Sequence, residues 1–228
     1  MVSAWWAEEA RQYGIDFDNH DDRYALTEEY TNVLRGFWSD TPFDFKGKYF
    51  EFQNSYNEPK PSKLPLVYAG GESEQGRASI TRFADKYLMH GGTLEEVRAK
   101  IKDMKERKER ANLEPFKGFG MAVYVILRDS EAEAKKELER IINIKNWADY
   151  ENSYSNFTGN SNLDVEISKM EYSVSNRGLR ANLIGTAEQI AEKLRAYEEA
   201  GLNLVIIQCA NMKEELERIA KELMPLLR

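Results

Sequence analysis

The stretch Leu64-Pro65-Leu66-Val67-Tyr68-Ala69-Gly70-Gly71-Glu72-Ser73 decides the fold expected for this chain. A short apolar run ends in two glycines, and a charged segment of helical composition follows at 74–82. This order predicts a buried parallel strand, a tight turn and a helix N-terminus. Glycines let the backbone approach a ligand closely, and the first N–H groups of a helix have no partner within it. The Gly70–Ser73 turn is therefore a candidate anion site, above all for a phosphate; the alternative is an ordinary β-to-α turn that needs glycine for its dihedral angles.

The same alternation of strand and helix recurs along the chain. Apolar runs at 86–89, 120–127 and 204–207 predict three more strands, and a segment with a helical pattern follows each of them. The helices are expected at 74–83, 94–110, 131–147, 187–200 and 212–227. Strict alternation implies a parallel sheet with right-handed crossovers, either a doubly wound sheet or a (β/α)8 TIM barrel. Four strands would amount to half a barrel.

Two further segments stand apart from this alternation. Residues 43–53 (FDFKGKYFEFQ) alternate apolar and polar side chains around Lys46-Gly47, which predicts a β-hairpin outside the main sheet. The stretch 150–182 is polar and rich in Asn, Ser and Tyr, and a loop of this length usually has a function or forms a lid. We expect residues 1–228 to form one domain.

Composition excludes several classes of function. The formal net charge is −7, and the basic run at 100–110 alternates in sign as a solvated helix face does, so nucleic-acid binding is disfavoured. Cys209 is the single cysteine and His20 and His90 are the two histidines, so an internal disulfide and a multi-histidine metal site are excluded. We find no apolar run of membrane-spanning length and no signal peptide, and we expect a cytoplasmic protein without membrane contact.

Eight short motifs follow one another along the chain: Trp5-Trp6, His20-Asp21-Asp22-Arg23-Tyr24, Phe45-Lys46-Gly47-Lys48-Tyr49-Phe50, Lys60-Pro61, Tyr68-Ala69-Gly70-Gly71-Glu72-Ser73, Val125-Ile126-Leu127-Arg128-Asp129, Tyr172-Ser173-Val174-Ser175-Asn176-Arg177-Gly178-Leu179-Arg180 and Leu183-Ile184-Gly185-Thr186. In order and spacing they resemble the luciferase-like flavin-dependent monooxygenases, in the branch of the alkanesulfonate and dimethyl-sulfone monooxygenases. The resemblance covers essentially the whole chain.

This resemblance implies a (β/α)8 TIM barrel with insertions, of which the chain would hold strands five to eight and, at Val2-Ser3, the end of strand four. It also implies reduced FMN (FMNH2) as cofactor, O2 as co-substrate and a small organosulfur or related compound as substrate. The expected partners are an NAD(P)H-dependent flavin reductase and further copies of the chain in a homo-oligomer. Residues 150–182 would be the mobile active-site loop.

The resemblance also implies which residues bind the cofactor. They are Ser3, His20, Tyr24, Gly71, Glu72 and Ser73. A histidine and a phenol on the first turn of a helix favour an anion, and the hydroxyl of Ser73 can donate a hydrogen bond to a phosphate oxygen. A carboxylate beside a phosphate is repulsive unless it faces away, so we expect Ser73 and backbone N–H groups, rather than the Glu72 side chain, to bind the phosphate.

Two residues are candidates for catalysis. The resemblance places Arg177 on the loop over the active site, where a guanidinium suits a sulfonate, sulfinate or peroxyflavin oxygen; the alternative is a solvated loop arginine. His90 follows a strand and could act as a general acid or base or contact the substrate; the alternative is a hydrogen-bonded turn histidine. Tyr124 and Met212 lie where sulfonate-type relatives carry histidines, and Ala210 replaces a tyrosine. These departures put sulfonate specificity in doubt.

Two alternatives stay open. The chain could be a catalytically incomplete half-barrel that binds flavin or assembles with another part, because an open half-barrel leaves strand edges and its apolar interior exposed. It could also be a deazaflavin-dependent oxidoreductase on the same barrel.

Overall fold

Among the residues that the structure describes, five parallel strands form the main sheet. The computed structural model describes residues 7–14, 20–39, 42–143, 151–152, 154–155, 158, 168–174 and 178–227. Its helices are α1 (Ala7–Gln12), α2 (His20–Phe37), α3 (Glu74–Phe83), α4 (Leu94–Arg110), α5 (Glu131–Ile142), α6 (Lys169–Val174), α7 (Ala187–Glu199) and α8 (Met212–Arg218). Its strands are β1 (Phe43–Lys46), β2 (Glu51–Ser55), β3 (Tyr68–Gly70), β4 (Lys86–Met89), β5 (Gly118–Leu127), β6 (Leu183–Gly185) and β7 (Leu204–Gln208).

Strand β5 organises the sheet. It is ten residues long and nearly all of it is buried, as its continuous apolar composition predicts. One edge of β5 pairs with β4, while 120–124 pair with β7 and 125–127 pair with β6. The order β3-β4-β5-β7 contains the four strands that the sequence predicts, and each of them is followed by a helix.

Several predicted boundaries are wrong. The strand β6 was missed because three residues are too few to show a periodicity. The strand before the glycines is shorter than its apolar run, since it begins only at Tyr68. Helix α5 ends at Ile142 instead of 147, and the last helix changes after Arg218 into a π-turn (Ile219–Leu223) and a 3-10 turn (Met224–Leu227). Part of the loop predicted at 150–182 is ordered as α6 and a 3-10 turn at Gly178–Ala181.

The main core lies between one face of the sheet and the helices α3, α4 and α7. Alternate strand residues such as Tyr87, Met121 and Val123 are inaccessible to solvent and pack there. On the opposite face Gly120 pairs in register with Leu88 and Leu204, and the lack of a side chain at Gly120 gives those two leucines room. This opposite face would line the inside of a barrel.

A second, smaller core lies at the carboxyl end of β5. Its buried residues are Tyr124, Ile126, Ala134 and Leu179. Tyr124 and Ile126 alternate with the residues that face α3 and α4, so they point from the opposite face of β5. Helix α5 and the turn at Gly178–Ala181 therefore cover the end of the strand where a barrel opens.

The predicted hairpin is formed by β1 and β2, which pair antiparallel in a separate two-stranded sheet. Its tip is held by Glu29 of α2, whose carboxylate accepts three successive backbone N–H bonds. The donors are Lys48, Tyr49 and Phe50, at 2.9, 2.8 and 2.7 Å. The hairpin is thereby fastened to α2, the helix that carries Tyr24.

Replacing Glu29 with alanine is expected to release the hairpin tip. Hydrogen bonds to a charged group contribute about 1.5–3 kcal/mol each, but the freed N–H groups can bond to water instead, so we expect a total loss of roughly 2–3 kcal/mol of local stability. Limited proteolysis and amide exchange at residues 48–50 measure this opening. Glu51→Ala is the matched control, because the Glu51–Lys46 pair is largely exposed and 3.5 Å long. Equal protection in both variants would contradict the role given to Glu29.

Candidate active site at the strand ends

The Gly70–Ser73 turn connects the carboxyl end of β3 to the first turn of α3. Ser73 is the N-cap of α3, and its Oγ accepts a hydrogen bond from Gly76 N at 3.0 Å. The proton of the same hydroxyl can still be donated to a ligand. The backbone N–H groups at the start of α3 and the positive end of its dipole lie at the same place. The turn therefore has the geometry of an anion site.

Tyr24 of α2 reaches this turn. A Cβ atom built at Gly71 would lie 3.3 Å from Tyr24 Oη, and one built at Gly76 would lie 2.7 Å from Tyr24 Oη and 3.0 Å from Ser73 Oγ. The fold thus brings Tyr24, Gly71 and Ser73 together, three of the residues that the sequence suggested. Sequence reasoning missed Gly76; an isolated glycine in the first turn of a helical pattern is the signal that could have found it.

Tyr87 of β4 anchors the turn through a hydrogen bond. Its hydroxyl donates a hydrogen bond to Gly71 O at 2.9 Å, and its side chain is inaccessible to solvent. Burial raises the pKa of Tyr87 far above its usual value, and the negative charge of Glu72 raises it further. The phenol therefore stays protonated and remains a donor. Sequence reasoning placed Tyr87 only in a strand.

Replacing Tyr87 with phenylalanine is expected to loosen the turn. The substitution keeps the ring but leaves the carbonyl of Gly71 without this donor, at a cost of about 1–3 kcal/mol in the free energy of unfolding. Urea denaturation measures the change. Tyr68→Phe is the control, because Tyr68 is 39% exposed at the other end of β3. An unchanged midpoint for Tyr87→Phe would contradict the anchoring role.

Glu72 lies in the turn, but its carboxylate faces the protein interior. Its Oε1 accepts from His90 N at 3.0 Å, and its Oε2 lies 2.5 Å from Lys100 Nζ of α4. Burial opposes the charge, yet Lys100 and the hydrogen bond from His90 leave the pKa of Glu72 below its ordinary value of 4.5. The side chain is thus engaged within the protein, and what Glu72 can offer a ligand is its backbone.

His90 follows the last residue of β4, next to the turn. It is half-buried, and its backbone N–H is the group that binds Glu72. Because β3 and β4 pair in parallel, their carboxyl ends meet at the same edge of the sheet. His90 therefore lies next to the turn, and its role in a site stays a prediction.

The end of the predicted loop is tied to the same region. Arg180 forms ion pairs with Glu171 of α6 and, at 2.8 Å, with Glu96 in the first turn of α4. The hydroxyl of Tyr197 donates to Gly92 O at 2.8 Å and also lies 3.4 Å from Ala181 O. These contacts fix the segment 178–182 beside the strand end that carries His90.

Three of the suggested site residues cannot be placed in full. Ser3 and Arg177 lie outside the residues that the structure describes, as does the Trp5-Trp6 pair. His20 is the first residue of α2, and only its backbone is described. Their roles stay predictions.

A cavity of about 590 Å³ opens elsewhere, between α5 and α7. Its lining includes Leu138, Ile184 and Lys193, and it contains no residue of the Gly70–Ser73 turn. In the part of the chain that the structure describes, no group of three or more His, Cys, Asp or Glu side chains is arranged to hold a metal ion. Within the same residues no helix is both long enough and apolar enough to cross a membrane.

A helix N-terminus with converging hydroxyl groups, at the carboxyl edge of a parallel α/β sheet, is the type of site that such proteins use for phosphorylated ligands. Comparison with known proteins gives the family. A family model described as luciferase-like monooxygenase matches residues 1–204. The chain belongs to this family.

Individual relatives agree with this assignment. The FMNH2-dependent dimethylsulfone monooxygenase of Pseudomonas fluorescens (strain Pf0-1) is 33% identical over 235 residues, which cover 100% of this chain and 64% of that protein. The crystal structure of long-chain alkane monooxygenase (LadA) has a TM-score of 0.78 at 20% identity, with 99% of this chain and 61% of that chain covered. For DmoA from Hyphomicrobium sulfonivorans the TM-score is 0.77 at 20% identity, with 100% and 60% covered.

These two structures show the fold, which is that of a luciferase-like (β/α)8 barrel. The chain spans about 64% of the length of the dimethylsulfone monooxygenase that it resembles. The barrel is therefore partial in this chain, as the count of four strands and the resemblance predicted. The doubly wound sheet, which was the other candidate, is not the fold.

Proposed function

We propose that the chain is part of an FMNH2-dependent monooxygenase that oxidises a small organosulfur or related compound with O2. The observation that carries the proposal is the Gly70–Ser73 turn, where Ser73 Oγ, Tyr24 Oη and the N-terminus of α3 converge. The family and the name of the relative from Pseudomonas fluorescens support FMNH2 as cofactor and dimethylsulfone as the kind of substrate.

The residues of the turn fit the phosphate of FMN. Gly71 and Gly76 lack side chains that would crowd the hydroxyl groups of Tyr24 and Ser73, and both hydroxyl groups can donate to phosphate oxygens. When bound, reduced FMN supplies the electrons and activates the oxygen for the reaction. Tyr24, Ser73 and the backbone of the turn would hold and orient the cofactor, and Ser3 and His20 would add to this binding.

Two residues are proposed to act nearer the substrate. His90 lies at the strand end beside the turn, where it can hold or move a proton. Arg177 precedes the anchored segment 178–182 in the sequence. Its guanidinium would bind a negatively charged oxygen, such as that of a sulfonate or sulfinate. The loop 150–182 would cover the site and exclude water, which strengthens electrostatic interactions inside it.

The proposed partners follow from the chemistry. A two-component enzyme needs an NAD(P)H-dependent flavin reductase to supply FMNH2, and the small-molecule substrate is the second partner. We also propose a homo-oligomer, because Tyr68 and Ile206 are 39% and 46% exposed on the face of the sheet that would line a barrel. A cytoplasmic location is proposed from the single cysteine.

Ligand titration tests the proposed function. Oxidised FMN, reduced FMN, riboflavin and a deazaflavin are each titrated into the chain and followed by fluorescence or calorimetry. Because the turn is built for an anion, FMN is expected to bind at least about tenfold more tightly than riboflavin. Failure of both forms of FMN to bind would overturn the proposal, and tighter binding of the deazaflavin would favour the deazaflavin-dependent alternative.

The outer strands support a second candidate, an incomplete half-barrel that binds flavin without turnover. Among the described residues, β3, β6 and β7 each pair with a single neighbouring strand, and their free edges can pair with other polypeptide. Light scattering and flavin-dependent oxygen uptake separate the candidates. A monodisperse monomer that consumes oxygen with FMNH2 would exclude the half-barrel, whereas an oligomer without uptake would support it.

A further inference from the structure

The ion pair between Glu72 and Lys100 lies directly behind the candidate phosphate site. The side chains of Glu72 and Lys100 are 2% and 16% exposed, and the Oε2–Nζ distance is 2.5 Å. The other carboxylate oxygen of Glu72 accepts from His90 N, while the backbone O of Glu72 accepts from Arg77 Nη1 at 2.8 Å. One buried residue thus joins the turn after β3, the end of β4 and helices α3 and α4.

The charge of Glu72 opposes phosphate binding at the turn, and the charge of Lys100 offsets it. A carboxylate in the turn that binds a phosphate would repel the phosphate if its charge were uncompensated. Lys100 of α4 compensates that charge at contact distance. Removal of one partner of a buried ion pair leaves the other charge buried and unpaired, which is strongly unfavourable.

We infer that Glu72 is a positioning residue that aligns the phosphate-binding turn with His90, and that Lys100 neutralises Glu72 so that the turn accepts an anion. The inference rests on the proposed function, since it concerns the same flavin-phosphate site. It gives the Glu72 side chain the role of aligning the turn. It also adds Lys100 of α4 to the residues that affect anion binding at the site.

Replacing Lys100 with methionine gives this inference a pH signature. Without Lys100, burial favours the neutral carboxyl group, so the pKa of Glu72 rises. The groups that face Glu72 are Lys100 from α4, Tyr87 from β4, His90 directly after β4, and Arg77 from α3, which contacts the backbone O of Glu72. In the variant, Glu72 is neutral at low pH and becomes charged as the pH rises through its raised pKa. The affinity of the variant for FMN therefore falls with rising pH.

The experiment compares four forms of the full chain: wild type, Lys100→Met, Lys102→Met and Glu72→Gln/Lys100→Met. Lys102→Met removes the same charge from the exposed side of α4, where Lys102 is 79% exposed. Binding of FMN and riboflavin is measured at about pH 5.5 and about pH 8.5, below and above neutral pH. At the higher pH, Lys100→Met is expected to bind FMN roughly tenfold more weakly than wild type, as one uncompensated charge implies, with riboflavin unchanged.

The double variant decides whether charge is the cause. Because it lacks both charges, it is expected to recover most of the FMN affinity, and Lys102→Met is expected to match wild type. Equal weakening in Lys100→Met and the double variant would mean lost packing and would overturn the neutralising role. If wild type binds no FMN, the proposed function and the neutralising role both fail.

Amide hydrogen exchange tests the positioning role without flavin. In Glu72→Ala the N–H of His90 loses its acceptor, so its exchange is expected to be at least about tenfold faster. Glu72→Gln keeps a carbonyl oxygen at the same place and is expected to retain most of the protection. The amide of Ala134, in α5, serves as the internal reference. Unchanged exchange at His90 in Glu72→Ala would overturn the positioning role whether or not FMN binds.

Discussion

Replacing Gly76 with alanine is expected to weaken FMN binding by at least about tenfold while the free energy of unfolding stays within about 1 kcal/mol of wild type. The new Cβ would lie 2.7 Å from Tyr24 Oη and 3.0 Å from Ser73 Oγ, so both hydroxyl groups have to move from the candidate phosphate site. Stability is preserved because alanine is the better helix former, by about 1 kcal/mol, which offsets the crowding.

The prediction is tested by measuring FMN affinity and the free energy of unfolding for the same variants. Gly118→Ala is the matched control, because its Cβ also crowds a polar side chain, that of Asn203, at the opposite end of the sheet. We expect Gly118→Ala to bind FMN as wild type does. Fluorescence titration with FMN and riboflavin, together with urea denaturation, gives both quantities. If Gly76→Ala bound FMN with wild-type affinity, the turn could not be the phosphate site.

Replacing Arg128 with methionine is expected to cause the largest loss of stability, about 2–4 kcal/mol at neutral pH. Arg128 follows β5, and its guanidinium contacts Glu137 of α5 at 3.0 Å and Glu215 of α8 at 2.9 Å. The three side chains are only 19%, 15% and 12% exposed, so the variant leaves two carboxylates poorly solvated and without this partner. The helix over the barrel opening would also lose its tie to the end of the sheet.

The loss is expected to depend on pH. The hydrogen bond from Arg140 lowers the pKa of Glu137 most, burial opposes this, and the charge of Arg128 lowers the pKa further. A group with a lowered folded-state pKa contributes stability above its ordinary pKa, here 4.5, and loses it as the pH falls through the folded-state value. The difference between wild type and Arg128→Met is therefore largest at neutral pH and shrinks below about pH 4.5.

Urea denaturation across this pH range measures the difference. Arg82→Met is the control, because Arg82 pairs with Glu28 at 2.8 Å while its side chain is 47% exposed. An exposed pair of this kind contributes about 0–1 kcal/mol. Equal destabilisation by the two substitutions, or a difference that does not change with pH, would contradict the role of Arg128.

Much of the fold could be predicted from local patterns. Ser73, Thr93, Ser130 and Thr186 each cap the helix that follows, since a hydroxyl before a helical run satisfies free N–H groups without help from the rest of the chain. The alternation in 43–53 was enough to predict the hairpin. The strand β6 was missed because it is only three residues long. The predicted end of the last helix was wrong because tertiary packing decides where it changes form.

For the candidate site, the sequence alone was enough to propose three segments: the Gly70–Ser73 turn, the helix that carries Tyr24 and the strand end at His90. These follow from residue types and their local spacing. Only the tertiary structure decided that Tyr24 meets Gly76, that Tyr87 holds the carbonyl of Gly71, and that Glu72 turns inward to Lys100. These contacts join residues far apart in the chain, and their geometry depends on how the helices pack on the sheet, which no local pattern encodes.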